Sequence, residues 1–562
     1  MGRSAVALGC LFGLAVSSTS FAHVSNKERS EARAFHQKLS KDDQIRQALN
    51  RLTFGPRPGD EAWVRRMGLK KWIDMELHPE RIPENPVLEQ KLRQLDTLRM
   101  SSEELVENYP SPQIAQQMIA GRIPLPADPE RRHMIRKLAE RFERRQRDPN
   151  APLIRPINDI LGPAQLRSLR TGTPQERLAL FESLPAATQD DVLDVLPGGI
   201  RQALFEVAPP DLRRRIELTA GPQQVLARDL DEAKLLRAIY SNRQLEEVLT
   251  DFWFNHFNVF LNKGADHYLV TGYERDVIRP HVLGKFRDLL EATAKSPAML
   301  FYLDNWQSVA PNPRAGAAAR RGLNENYGRE LMELHTLGVT GGYTQKDVTE
   351  VARCFTGWTI DQPQRGGTFF FNPRLHDNGE KVVLGVTIPA GGGIEDGEKV
   401  LDILARHPST AHFISRELAQ RFVADDPPPA LVDRMAKTFL KTGGDLRAVM
   451  KTMLESKEFW SQAAYRSKIK SPLEFVASAV RAVNGDVDYA VVLSNQIAQL
   501  GEPLYLKLEP TGYSNSSREW LNSAGLVARM NFALQLANNR LPGVKVEAAD
   551  ALALGSPEFQ KH

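Results

Sequence analysis

Cysteine is almost missing from this chain: there are two in 562 residues, Cys10 and Cys354. So few thiols cannot build a disulfide framework, and stability has to come from buried apolar surface, which a chain of this length can supply. Charge of one sign is missing too. The 73 basic residues against 69 acidic ones leave +4, spread along the chain rather than gathered in an arm, so nucleic acid is not an expected partner. No apolar run reaches the ~20 residues that span a bilayer, so no transmembrane anchor is expected. The familiar catalytic signatures are also lacking: there is no Gly-x-Ser-x-Gly elbow, no His-Glu-x-x-His and no phosphate loop. Serine hydrolases of the elbow type, zinc proteases and P-loop nucleotidases lose ground accordingly.

What is present begins with a targeting pattern. Arg3 supplies a positive charge, Ala5 to Val16 an apolar stretch, and Ser20-Phe21-Ala22 a small-x-small cleavage site. This predicts a signal peptide over residues 1–22, a mature chain from His23, and a periplasmic or secreted protein. A lipoprotein box ending at Cys10 has too few apolar residues before the cysteine. Cleavage removes Cys10 and leaves Cys354, which on a helix is expected to be a small buried apolar residue rather than a nucleophile.

With 42% hydrophobic and 25% charged residues, the composition is that of a globular, water-soluble protein. Apolar residues recur at helical spacing almost throughout, as in Ile45, Ala48, Leu49 and Leu52, which predicts a mainly α, multi-helical body. The charge-rich stretch Arg131–Asp148 reads as a solvated helix with opposite charges at helical spacing. Leu184-Pro185, Leu196-Pro197 and Ala208-Pro209 recur every twelve residues. Because proline ends one helix and opens the next, they predict an inserted repeat of short helices that must stack on itself or on the body. Gly366–Gly397 breaks the helical pattern with Phe369-Phe370-Phe371, Val382-Val383-Leu384 and Gly391-Gly392-Gly393, and a small β-hairpin or structured loop is expected there. The divisions are an N-terminal helical part (23–150), the repeat (151–225), a helical core (226–360), the irregular segment (361–400) and a C-terminal helical part (401–562).

Within the core lies Asn324-Glu325-Asn326-Tyr327-Gly328-Arg329-Glu330-Leu331-Met332-Glu333-Leu334-His335-Thr336-Leu337-Gly338. It is followed by Gly342-Tyr343-Thr344-Gln345-Lys346-Asp347-Val348 and Phe355-Thr356-Gly357-Trp358. Other marks are Leu52-Thr53-Phe54-Gly55-Pro56, Phe252-Trp253-Phe254-Asn255-His256-Phe257, Ser296-Pro297-Ala298-Met299-Leu300, Tyr302-Leu303-Asp304-Asn305, His376-Asp377 with Gly379 and Lys381, and Ser556-Pro557-Glu558-Phe559. In this order the segments resemble the DUF1800 family over nearly all of the mature chain except the repeat. The resemblance implies an exported protein whose gene neighbours often encode a second exported family, DUF1501, which itself resembles sulfatases and phosphatases. An exported DUF1501-type protein is therefore the partner implied, and no activity is implied.

Several residues carry chemistry. At 100° per residue Asn326, Glu330 and Glu333 share one stripe of a helix, beside the apolar stripe of Tyr327, Leu331 and Leu334. Gly338 and Gly341-Gly342 suit a stop and turn, and Thr344 with Asp347 a capping box. A helical hairpin would then gather Glu330, Glu333, Asp347 and Glu350 with Arg329 and Arg353. Such a cluster suits a hard divalent cation or an acid and base pair, or else a buried network of Glu–Arg pairs. A di-iron pattern fails, because Glu333 and His335 stand two apart. His256 beside Asn255 sits among aromatic residues, where burial would keep it neutral, as ligand, base or core histidine. His376, Asp377 and Lys381 would be presented by a loop to a cleft or would stabilise that loop. Ser409, as the expected N-cap of a helix, and Arg416 would hold a phosphate or sulfate. The enzyme expectation is a hydrolase or lyase acting on an extracellular polymer or ester, with His256, Glu330, Glu333, His376, Asp377 and Lys381 catalytic and Asn255, Asn326, Arg329, Arg353 and Arg416 binding substrate. The alternative is a non-catalytic envelope binding or assembly protein that docks through the repeat.

Overall fold

The computed structural model describes residues 34–147, 156–311, 322–520, 522–547 and 550–562. The expected signal peptide, with Cys10, lies outside them.

The architecture is mainly α, and local chemistry accounts for its elements. Helix α1 (Lys41–Leu52) starts where the Ser40 hydroxyl accepts from the Asp43 amide, carries acids in its first turn and Arg51 in its last, and buries Ile45, Ala48, Leu49 and Leu52. That is the placement the helix dipole and a 3.6-residue period favour. Helix α2 (Pro222–Tyr240) opens on proline and is buried over most of its length. It runs beside α3 (Gln244–His256), which buries Phe252, Trp253 and Phe254. One large apolar cluster joins these helices to the C-terminal part, and a smaller one gathers Leu105, Tyr109, Ile135 and Val225.

The repeat forms four short helices, Pro174–Ser183, Ala186–Val195, Gly198–Val207 and Pro210–Ala220. They stack on one another around a core of their own that includes Phe181, Val192, Leu204 and Phe205, with Tyr489 of the body packed against it.

The signature forms α4 (Glu325–Glu333) and α5 (Gln345–Cys354), the latter opened by the expected Thr344/Asp347 capping box. The irregular segment takes part in two hairpins, the first of which borrows a strand from the end of the helical core division. In the first, β1 (Trp358–Ile360) pairs antiparallel with β2 (Phe369–Phe371), Trp358 opposite Phe371. In the second, β3 (Lys381–Val383) pairs with β4 (Val386–Ile388). They are joined by Leu384 and Gly385 at φ 48° and 79°, the left-handed pair that a two-residue hairpin turn requires. Helices α6 (Ile394–Ala405), α7 (Pro408–Phe422) and α8 (Pro472–Ala482) follow. A last two-stranded ladder pairs β5 (Asp486–Val487) with β6 (Val544–Lys545). Isolated bridges tie Lys38 to Ser461 and Ile469 to Lys561, closing distant parts of the chain on each other. Among the described residues no helix is long and apolar enough to cross a membrane.

Candidate functional site

The α4–α5 hairpin packs as closely as its sequence permits. A Cβ on Gly328 would lie 3.0 Å from the Val348 carbonyl oxygen and 3.1 Å from the Ala352 amide. Its acids nevertheless do not converge. Glu333 accepts from the Tyr343 hydroxyl at 2.9 Å. Half-buried Glu330 is pushed above the usual carboxylate range by burial and then by Glu333. Arg329 donates to the Gln345 amide oxygen at 2.7 Å, and Asn326 is exposed.

Asp347 and Glu350 face the second hairpin instead, accepting from the Leu384 amide at 2.8 Å and the Val382 amide at 3.1 Å. Arg353 bonds Glu350 at 2.8 Å and grips Asp377 with two nitrogens at 2.8 and 3.1 Å. These groups fasten strands to a helix. Among the described residues no group of three or more His, Cys, Asp or Glu side chains is placed to hold a metal ion, so the four-carboxylate cluster is corrected to two separate sets, Glu330 with Glu333 and Asp347 with Glu350.

His376 and Lys381 do not line a cleft either, since both side chains are completely buried. His376 bonds the Thr356 carbonyl at 2.8 Å and Asp396 at 3.1 Å, and Lys381 donates to Asp396 at 2.7 Å, to the Gly379 carbonyl at 3.0 Å and to the Asp377 carbonyl. A buried charge survives only when so fully paired. The loop-stabilising reading fits that arrangement.

His256, at the end of α3, points its Nε2 at the carbonyl oxygen of His335, 3.2 Å away, amid the rings of Trp253, Phe257 and Phe413. Burial pushes its imidazole down to about 4. His335 lies beside it with ring centroids 6.3 Å apart, and its own buried Nε2 has no hydrogen-bond partner. Burial and then His256 lower it to about 3. Among the described residues no hydrogen bond, ion pair or ring contact joins this histidine pair to His376 or to the signature side-chain carboxylates, so the expected common cleft is not formed. The expected anion site changes as well. The N-cap of α7 is His407, whose ring accepts from the Ser409 amide at 3.1 Å, while Ser409 donates to the Gly341 carbonyl. Arg416 is exposed on a shallow groove with His412 and Pro427 to Pro429.

Asn255 is placed differently. Its amide donates to the Tyr513 carbonyl and accepts from the Tyr513 amide, both at 2.6 Å. Gly512, at φ +67°, allows the approach, because a Cβ there would lie 2.2 Å from the Asn255 carbonyl oxygen. This clamp closes one wall of a cavity of about 60 Å³ among α2, α3, α7, α8 and the segment from Glu502 to Trp520. Aromatic rings of Phe254, Tyr505, Tyr513 and Trp520 line it together with charged groups.

Those charges come from stretches far apart in sequence. Lys234 pairs with Asp251 at 3.0 Å and with Glu274 at 3.3 Å, Arg421 with Glu474 at 2.5 Å, and Lys468 with Asp425 at 2.5 Å. Glu502 accepts from the Leu473 amide at 2.8 Å. Burial, then the charge of Asp251, pushes Glu502 up to about 8. Glu474 feels the same burial, but Arg421, His562 and the Ser471 amide hold it down at about 2. Burial brings Lys468 down to about 8 against the pull of Asp425.

A carboxylic acid kept neutral beside ionised carboxylates is the arrangement that lets two like groups take opposite proton-transfer roles. Of the expected site residues only Asn255 belongs here. The one local signal is Ser471-x-x-Glu474, a capping box directly after Lys468 and Lys470, which marks Glu474 and leaves Lys234, Asp251 and Glu502 unmarked. No curated protein and no solved structure matches the chain. A family model does match, over residues 47–560, and the chain belongs to that family, the proteins of unknown function DUF1800.

Proposed function

We propose that this protein is an exported hydrolase or lyase that acts on an extracellular polymer or ester by general acid–base catalysis in the cavity clamped by Asn255. Glu502 is the proton donor, and Asp251, ion-paired with Lys234, is the proton acceptor. The observation that supports this reading is the cavity itself, where Glu502, raised by burial, stands with Asp251 and the ion-paired cations Lys234, Arg421 and Lys468, brought together from separate stretches of chain. At about 60 Å³ it admits one functional group and a water, so the bulk of the substrate stays outside.

The test is a turnover screen of the purified mature chain on chromogenic esters and on neutral and acidic polysaccharides, followed by Glu502→Gln. The substitution should lower kcat/KM by about 100-fold or more, the range of one general acid. The thermal midpoint should hold or rise, since a buried carboxyl has been replaced by its neutral isostere. Full activity in Glu502→Gln would sink the assignment.

A different observation supports a second reading, a non-catalytic envelope assembly protein. The helix Ser523–Ala537 exposes Leu526, Val527, Met530 and Leu534 at 45, 57, 47 and 48%, and the helix packed on it exposes Leu552 at 83%. Such a stripe suits a protein partner, of which the family resemblance suggests an exported DUF1501-type protein. Under this reading the partner's contact lies here rather than on the repeat.

A further inference from the structure

The inserted repeat and the body do not close on each other completely. Helices Gly198–Val207 and Pro210–Ala220 form one wall of a cleft of about 540 Å³, and α2, the helix Val491–Gln499 and residues 535–543 form the other. The volume lies within the range of ligand sites, about 300–1,000 Å³.

Four arginines line it: Arg201, Arg213, Arg228 and Arg540. Arg213 is committed, lying over the Phe205 and Tyr489 rings at 6.0 and 5.7 Å and bonding Asp488 at 2.7 Å. Arg228 is held loosely, 3.5 Å from Glu217. Arg201 donates only to the Leu193 and Leu196 carbonyls, at 3.0 and 3.3 Å, and its buried Nε has no partner. Exposed Arg540 has no carboxylate within ion-pair distance among the described residues. Against them the lining offers Glu206 and Asp231, and Asp231 already accepts from the Ser494 hydroxyl at 2.5 Å. Burial raises Asp231 to about 7, which weakens its countercharge further. The remaining polar surface is amide, from Gln202, Asn495, Gln496 and Gln535.

Arg201 and Arg540 have no ion-pair partner among the described residues and Arg228 has only the long contact to Glu217, and guanidinium groups so weakly paired seek anionic oxygens. Side-chain amides around an aromatic ring suit hydroxyl groups on an apolar-faced ring. We propose that the cleft binds a segment of acidic polysaccharide, with its carboxylate or sulfate groups on Arg201, Arg228 and Arg540 and its hydroxyls on the amides beside Tyr489. Nucleic acid fits less well, because the Phe205 and Tyr489 rings already lie under Arg213 and the three remaining arginines give neither an open stacking platform nor a continuous phosphate track. The cleft shares no residue with the cavity clamped by Asn255, so this site stands apart from the catalytic reading.

Binding of the full mature chain to polygalacturonate, dextran sulfate, neutral dextran and single-stranded DNA, followed calorimetrically at two salt concentrations, tests it. One or both acidic polysaccharides should bind, more weakly at the higher salt, and the two arms tell carboxylate from sulfate recognition. Arg228→Gln with Arg540→Gln should weaken that binding by at least about tenfold with an unchanged circular dichroism spectrum, while Arg540→Lys alone should retain most of it. Binding of neither acidic polymer, equal binding of neutral dextran, stronger binding of DNA, or an unaffected double variant would each overturn the proposal.

Discussion

His335 is buried, His256 beside it is largely enclosed by aromatic rings, and neither has an ion-paired acid among the described residues. In the folded chain they ionise at about 4 and 3, below the ~6.5 of a solvated histidine. Between those values the unfolded chain binds more protons than the folded one, so stability rises with pH. It is complete above about 6.5 and falls as the pH drops toward 4, by up to ~1.4 kcal/mol per pH unit for each histidine. Urea titrations at pH 7 and pH 5 should therefore show a loss that shrinks by about 2 kcal/mol or more in His256→Phe with His335→Phe. An equal loss in the variant would mean that these rings are solvated. Burial of His256 was legible from the aromatic residues around it. Its neighbour was not, because α4 ends at Glu333 and the His335 amide bonds back to the Glu330 carbonyl at 3.0 Å. Counting 100° per residue loses its meaning once the helix has stopped.

At the scale of elements, short-range chemistry was the readable part. The capping box at Thr344, the proline-punctuated repeat and the helical periods all correspond to local rules. The α4–α5 contact adds something that period alone does not show. An alanine inside a helix ordinarily gains about 0.5–1 kcal/mol over glycine. Gly328→Ala should instead destabilise by about 1–3 kcal/mol, since the added methyl meets main-chain atoms that cannot give way. Chemical denaturation decides the sign, and a stabilised variant would show that the helices stand further apart. The irregular segment was read as one hairpin or loop; it holds one hairpin whole and the second strand of another. The strand Phe369–Phe371 pairs back to Trp358–Ile360, residues that read as the end of the signature, and strand pairing across a loop leaves no periodic trace.

For the molecule as a whole, Cys354, the one cysteine among the described residues, carries a direct test. Cys354 is buried and its thiol is pushed up to about 12 by burial. The chain without residues 1–22 should show no thiol reactive toward Ellman's reagent when native and one in guanidinium, and its thermal midpoint should be the same with or without reductant. A reactive native thiol would contradict the packing of α5. The cavity clamped by Asn255 is legible only at this scale. It joins Lys234, Asp251, Arg421, Lys468 and Glu502, and no motif spans such separations. Its framework has a temporal side. Ile469 is bridged by Lys561, and Lys468 and His562 exchange main-chain hydrogen bonds at 3.3 and 2.9 Å. A ribosome makes the segment from Lys468 to Lys470 before the residues that cover it. Until that late stretch arrives, the wall carrying Lys468 stands half-built, and the cavity clamped by Asn255 has no finished frame.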